Sequence, residues 1–433
     1  MSQLRGLLCT YGTRGDVEPF LALAQRLKSF GADVTLATSK RYQEWIEQAG
    51  ITCFPMSDAP LALIDSPDGK MMLEGGVSVF KRMAAGMGLA KKSAPLTEQM
   101  IADSWDAAQA CSPDFIVFHS KQFGAPHIAE KLGIPAFLGL LQPMIVPTRE
   151  FPAMGLPSLS LPGYNWLTYT LVSKGFAAQR KSVNHFRESS LGLPPVRSSA
   201  QVLFPQGRGS IPILHAISPS VLKRPDDWPD HAHITGYWFL KKETDFTPSE
   251  DLTRFLEAGP PPVFVGFGSM TSSDPEQLAH IVTGALKQAG VRGIIGSGWA
   301  DLKIETSDEV IAIGPTAYDW LFPKMSAVVH HGGAGTTAEG FRAGVPCVVC
   351  PFFGDQPGWA RLSEELGVGA RPVPRKKLTA DRLAASITDA VSNTALRVNA
   401  AKLAKDMAKE DGVATALDLI FQHVRPKGDQ FRL

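Results

Sequence analysis

The chain is poor in cysteine, has no excess of charge of either sign, and lacks any long apolar run. Its five cysteines (Cys9, Cys53, Cys111, Cys347, Cys350) are odd in number and scattered through 433 residues. That excludes a disulfide framework and fits reduced, packed thiols in a cytoplasmic protein. Cys347 and Cys350 have the spacing of a metal or redox pair, but they fall in one strand and no second pair accompanies them, so core packing is expected. With 43 basic and 42 acidic residues, the formal charge of +1 gives no overall electrostatic reason to bind nucleic acid or anionic lipid, though a local basic patch stays open. No window approaches membrane-spanning length, and the amino-terminal apolar run is too short for a signal peptide; no integral membrane association is expected.

What is present centres on residues 326–357, SAVVHHGGAGTTAEGFRAGVPCVVCPFFGDQP. An apolar run at 327–329, a halt at His330, His331 and two glycines, and a helical pattern over 336–343 read as strand, glycine turn and helix start. A second strand over 345–350 completes a β-turn-α-β unit. Glycines between strand and helix let the backbone approach an anion, which the free N–H groups and the helix dipole stabilise. Thr336 and Thr337 add hydroxyls and His331 an imidazole, making a seat for a phosphate or diphosphate. Asp355 and Gln356 end the next strand on the same rim and can read neighbouring hydroxyls, as on a sugar. The plainer reading is a tight connection with Asp355 capping a turn. A rival reading takes Gly333-x-Gly335-x-x-Ala338, with Asp355 twenty residues after Gly335, as a dinucleotide fingerprint of an NAD(P)-dependent oxidoreductase. That match is weak, because the acid follows its strand by several residues and a proline.

The rest alternates strand and helix, the pattern of α/β doubly wound domains. Strand 4–10 ends in a Gly-Asp loop before a helix, where Asp16 is either an N-cap or a rim carboxylate. A strand over 114–118 ends at His119, which lines the rim or is simply packed. Residues 142–202 break the alternation with Pro143, Pro147, Pro152, Pro157 and Pro162 among large apolar residues. This insertion is a wall for a hydrophobic substrate or an ordinary cover. A strand over 213–217 is expected to close the first half, and the polar stretch 241–250 to mark the junction between domains 1–240 and 241–433.

YGTRGDVEPFLALAQRL, VFVGFGSM, GSGW, DWLFP, HHGGAGTTAEGFRAGVP and PFFGDQP, in this order, resemble the sterol 3-β-glucosyltransferase branch of the UDP-dependent glycosyltransferases, family one. The resemblance implies the GT-B fold: two facing Rossmann-like domains with a deep interdomain cleft, the amino-terminal one for the acceptor. The carboxy-terminal one takes the sugar nucleotide, and its final helix crosses back. It implies a UDP-sugar donor, a hydrophobic small-molecule acceptor, and no nucleic acid partner. It places His331, Ala334, Gly335 and Thr336 on the diphosphate, Asp355 and Gln356 on the sugar, and Glu339 on the ribose. Thr316 is placed at the nucleobase, and Thr13, Arg14 and Asp16 at the reaction centre. Ser269 and Ser297 join the donor set. Plant relatives stack a tryptophan on uracil at the position of Ile313, and Trp299 is expected to substitute for it.

Inverting transfer needs a base for the acceptor hydroxyl and donors for the departing diphosphate. Asp16 is the expected base and His119 its partner. No Asp-x-Asp pair occurs anywhere, so a metal-bridged diphosphate is not expected. A non-catalytic sugar-nucleotide-binding auxiliary protein is the remaining alternative.

Overall fold

A computed structural model describes residues 3–66, 79–240, 246–268, 275–296 and 306–424. Its first sheet contains β1 (Arg5–Cys9), β2 (Asp33–Ser39), β3 (Thr52–Met56), β4 (Phe115–His119), β5 (Ala136–Leu140), β6 (Ile213–His215) and β7 (Ala232–Ile234). These are all parallel, in the order β3-β2-β1-β4-β5-β6-β7. The second sheet contains β8 (Val263–Gly266), β9 (Gly293–Gly296), β10 (Val310–Ile313), β11 (Ala327–His330) and β12 (Cys347–Val349), parallel in the order β10-β9-β8-β11-β12. Strands covered on both faces read as unbroken apolar runs, and the inner strands β4, β5, β8 and β11 are buried along their whole length.

The helices of the first half are α1 (Arg14–Ser29), α2 (Gln43–Gln48), α3 (Ala59–Asp65), α4 (Val79–Cys111), α5 (Ala125–Leu132), α6 (Tyr164–Gly175) and α7 (Arg180–Phe186). Those of the second are α8 (Glu250–Glu257), α9 (Pro275–Ala289), α10 (Tyr318–Leu321), α11 (Ala334–Ala343), α12 (Gln356–Glu365), α13 (Ala380–Ser392), α14 (Thr394–Met407) and α15 (Gly412–His423). Each sheet reverses its winding once, between β1 and β4 in the first and between β8 and β11 in the second. Open α/β sheets hold ligands outside the carboxyl ends of the strands at that reversal.

The last helix returns to the first half. Val413, Ala416, Leu417 and Ile420 of α15 are buried in one cluster with Val17, Leu21 and Ala24 of α1. Gly236 and Gly412 make this crossing possible. A Cβ on Gly412 would lie 2.4 Å from the carbonyl carbon of Gly236, so only two bare backbones fit. A second cluster joins Met154, Ile217 and Tyr237 to Phe341, Trp359 and Met407 of the other half.

One expectation is corrected. The first sheet does not close at 213–217; β7 adds a three-residue strand after a proline-rich turn, too short to show as a run. Residues 356–365 form α12, with Pro357 and Gly358 in its first turn. Cys347 and Cys350 are packed as expected: both are buried thiols, pushed up to about 11 and about 12 by burial.

Candidate active site

At the first reversal, Thr10 to Thr13 link β1 to α1. Thr13 is the N-cap, so Asp16 sits one turn in, at the third helical position, not at the cap. Its Oδ2 accepts hydrogen bonds from the Thr13 N–H at 2.8 Å and the Thr13 hydroxyl at 3.1 Å. Its Oδ1 faces away from the helix, 2.8 Å from Lys121 Nζ and 3.6 Å from His119 Nε2. One oxygen therefore holds the helix start and the other is held by Lys121. Burial alone would raise the Asp16 pKa, but the Lys121 ammonium, His119 and the Thr13 N–H outweigh it and hold the carboxyl below the usual range. Gly12 (φ +147°) leaves room for this carboxylate, because a Cβ there would stand 2.1 Å from Oδ2.

His119 ends β4 and is 1 % exposed. Its Nδ1 accepts from the Lys121 N–H at 3.2 Å, so the proton of the neutral ring sits on Nε2, toward Asp16. Burial and the Lys121 charge push its pKa down to about 4 against the pull of Asp16, which keeps the ring neutral at physiological pH.

At the second reversal, β11 ends in His330 and α11 begins after Gly333, an N-cap without a side-chain hydrogen bond. Ala334, Gly335 and Thr336 form the first turn, with their N–H groups directed out of the helix start. Thr337 departs from expectation. It is fully buried, and its hydroxyl donates to the Gly333 carbonyl at 2.9 Å, so it is spent inside the helix. The His331 ring lies between two glycines: a Cβ on Gly268 would approach its Cε1 to 3.1 Å and one on Gly333 its Nε2 to 2.5 Å. Burial pushes this imidazole down to about 4, and its Nδ1 is buried with no hydrogen-bond partner. A neutral ring with an orphaned buried nitrogen at an open helix start is equipped to meet an anion.

The two starts meet. A Cβ on Gly335 would lie 3.7 Å from the Cα of Gly15, which brings the first turns of α1 and α11 face to face. Asp355 joins them from the N-cap position of α12. Its Oδ2 does not cap the helix but accepts the Trp359 Nε1–H at 2.8 Å, and Gln142 from the first half hydrogen-bonds to its side chain. Burial raises its pKa and the Asp16 charge adds to the rise, so the two carboxylates feel one another. Gln356 is 5 % exposed, and its Oε1 accepts the N–H groups of Phe352 and Phe353 at 2.7 and 3.1 Å, which shapes the loop carrying Asp355.

Arg14, Thr316 and Glu339 also make contacts within the protein. Arg14 lies 2.8 Å from Glu18 and 4.7 Å over the Trp45 ring, and its charge also reaches Tyr318 of α10. Thr316 follows β10, donating its hydroxyl to the Gly314 carbonyl at 2.9 Å. Glu339 pairs with Arg342 at 2.6 Å, and burial nonetheless pushes it up to about 7. Ser269, Ser297 and Trp299 lie outside the described residues. Among the described residues no group of His, Cys, Asp and Glu could hold a metal ion. Lys121 and Gln142 went unread; the one signal was position, two residues past a strand-end histidine and two past the end of β5.

Comparison with known proteins now decides the family. The chain is 34 % identical over 433 residues to a sterol 3-beta-glucosyltransferase of Arabidopsis thaliana, covering 98 % of this chain and 69 % of that one. The chain belongs to the sterol 3-beta-glucosyltransferase family. It is 35 % identical to the Yarrowia lipolytica sterol 3-beta-glucosyltransferase over 97 % of this chain, but spans only 29 % of that protein. A second Arabidopsis relative is 35 % identical and spanned to 64 % of its length, so the chain covers between under a third and just over two thirds of these relatives. The profile of the glycosyltransferase family 28 N-terminal domain matches residues 7–146, and that of the erythromycin biosynthesis protein CIII-like C-terminal domain matches 307–416. The numbered family whose profile matches is 28. The calicheamicin glycosyltransferase CalG4 superposes with a TM-score of 0.69 at 17 % identity, covering 98 % of this chain and 99 % of that one. The kitacinnamycin glycotransferase gives 0.69 at 18 % identity over 98 % of this chain and 100 % of its own. The fold is therefore that of the GT-B glycosyltransferases, and the family's members are transferases, which leaves the oxidoreductase reading without support.

Proposed function

We propose that the chain is an inverting glucosyltransferase of the sterol branch, family one of the UDP-dependent enzymes, moving glucose from UDP-glucose to the hydroxyl of a sterol or similar hydrophobic alcohol. The observation that carries this is the meeting of two helix starts, one bearing Asp16 with His119 and Lys121, the other bearing His331 and an open turn of N–H groups. In this reading residues 1–240 bind the acceptor and 241–433 the donor.

Asp16 Oδ1 takes the proton of the acceptor hydroxyl as that oxygen bonds to the anomeric carbon and the carbon–diphosphate bond breaks. Neutral His119, its Nε2 3.6 Å from Oδ1, lends a favourable dipole to the carboxylate, which Thr13 and Lys121 orient. The first turn of α11 and His331 receive the negative charge of the leaving diphosphate, a role that requires no metal. Asp355, held by Trp359, accepts hydrogen bonds from glucose hydroxyls, with Gln356 shaping its loop. Thr316 and Glu339 serve the nucleoside.

The test is UDP release from UDP-glucose with and without a sterol, plus the mass of the product. Acceptor-dependent release with one hexose added supports the reading. UDP-glucose that raises the melting temperature without any release across sterols, triterpenoids and phenols would favour the non-catalytic alternative.

A further inference from the structure

The outer face of the insertion is apolar and uncovered. Five of the eight exposed large apolar side chains among the described residues fall within 159–171: Leu159 (46 % exposed), Leu161 (62 %), Trp166 (47 %), Leu167 (52 %) and Leu171 (53 %). Singly exposed leucines need no explanation, but a contiguous group does.

The group is built, not frayed. Helix α6 has used its other face on the protein, where the Thr168 Oγ1 accepts the Ala153 N–H at 2.9 Å and the Tyr169 hydroxyl donates to the Phe151 carbonyl at 3.2 Å. The preceding loop is pinned by the Tyr164 hydroxyl on the Pro157 carbonyl at 2.9 Å. Positions 167, 171 and 174 follow one stripe of the helix, so the apolar face runs into the exposed Lys174.

Charge says what the face is for. Although the whole chain balances 43 basic against 42 acidic residues, residues 151–186 contain no aspartate or glutamate, while Lys174, Arg180 and Lys181 are exposed. Tryptophan and leucine on one side with cations beside them is the composition of helices that lie in a membrane interface. A surface negative everywhere suits 36 residues without a carboxylate better than a protein partner recognised by charges of both signs.

Position completes the argument. Gly155 packs on the second half so closely that a Cβ there would be 2.6 Å from the Gly354 carbonyl oxygen, next to Asp355. Six residues on is Leu161, at most about 22 Å away along an extended chain. The apolar face therefore begins within that reach of the loop that carries Asp355.

We propose that this face docks the protein peripherally on an anionic lipid bilayer, its apolar side chains entering the head-group layer and Lys174, Arg180 and Lys181 meeting lipid phosphates. Docked so, the site opens beside the phase in which a lipid-soluble alcohol is dissolved. That purpose rests on the acceptor proposed above, whereas the docking does not.

Flotation of the protein with phosphatidylcholine vesicles, with and without phosphatidylglycerol, needs neither donor nor acceptor, so its failure is separate from failure of the transfer assay. The expected result is flotation with the anionic vesicles, weakened by salt. In Leu161→Asp/Trp166→Asp, and in Lys174→Glu/Lys181→Glu, binding should fall by about tenfold or more, since each interfacial cation contributes about 1 kcal/mol. The substituted positions are exposed, and an unchanged melting temperature confirms folding. Wild type that stays at the bottom of the gradient overturns the proposal, as does binding equal in wild type and variants. So does a dimer on size exclusion that Leu161→Asp dissolves, because the face would then cover a second copy.

Discussion

At the scale of the residue, the contact that matters most is the ion pair between Lys121 and Asp16. It keeps Asp16 ionised but ties up the oxygen that must receive a proton. We expect Lys121→Met to move the acid limb of the kcat/KM profile to higher pH, because the carboxyl loses the charge that offsets its burial. Lys121→Arg should restore the limb, which a merely structural lysine would not do; an unmoved limb in the methionine variant would remove Lys121 from the reaction centre. Asp16→Asn keeps the shape and loses the base, and a loss of about 10²- to 10⁴-fold in kcat is expected from UDP release. Turnover equal to wild type would assign the base elsewhere. For His331→Ala, a charge-assisted hydrogen bond to diphosphate is removed, worth about 1.5–3 kcal/mol. Calorimetry should then show UDP binding weakened by at least tenfold, and an unchanged Kd would take His331 off the diphosphate.

At the scale of the element, the strand-turn-helix units could be read directly and the long-range contacts could not. β11, α11 and β12 announce themselves by an apolar run, paired glycines and a helical pattern, and the resemblance in their residues singled out His331, Gly335 and Asp355. Helix α12 was hidden because Pro357 and Gly358, which also break helices, occupy its first turn, where proline is at home. The partners of the two carboxylates were illegible for a different reason. Lys121 is 105 residues from Asp16, and Gln142 reaches Asp355 from the other half of the chain, so no local pattern ties them together. Only the winding of the sheets brings such ends to one rim. At this scale Gly412→Ala is the sharpest probe of how the last helix is held. Its methyl would collide with the backbone of Gly236, and we expect a loss of about 1–3 kcal/mol in unfolding free energy by urea titration. An unchanged midpoint would mean that the crossing relaxes freely.

At the scale of the whole molecule, acid should be a general weakness. His119, His127, His215 and His330 are buried and His331 is largely so, and desolvation pushes each down to between about 3 and about 4. Between the ordinary histidine value of about 6.5 and these lower ones, the unfolded chain binds protons that the folded chain refuses. Stability is therefore whole above about pH 6.5 and drains as pH falls, by up to about 1.4 kcal/mol per pH unit for each such group. The urea midpoint should drop clearly between pH 7 and pH 5, where protonation of the buried Glu339, pushed up to about 7, offsets only one histidine's share; a flat midpoint across that range would mean these rings are charged in the folded state.

The chain passes between the halves near Gly236 and again at Gly412, and these two backbones touch. Two crossings at one place act as a pivot. A change in the gap between α1 and α11 then becomes a swing about that point, and displacement grows with distance from it. A small rearrangement at Gly236 and Gly412 is magnified by this leverage at the opposite rim, so a pair of distance probes set far from the pivot would report opening that probes beside it would miss.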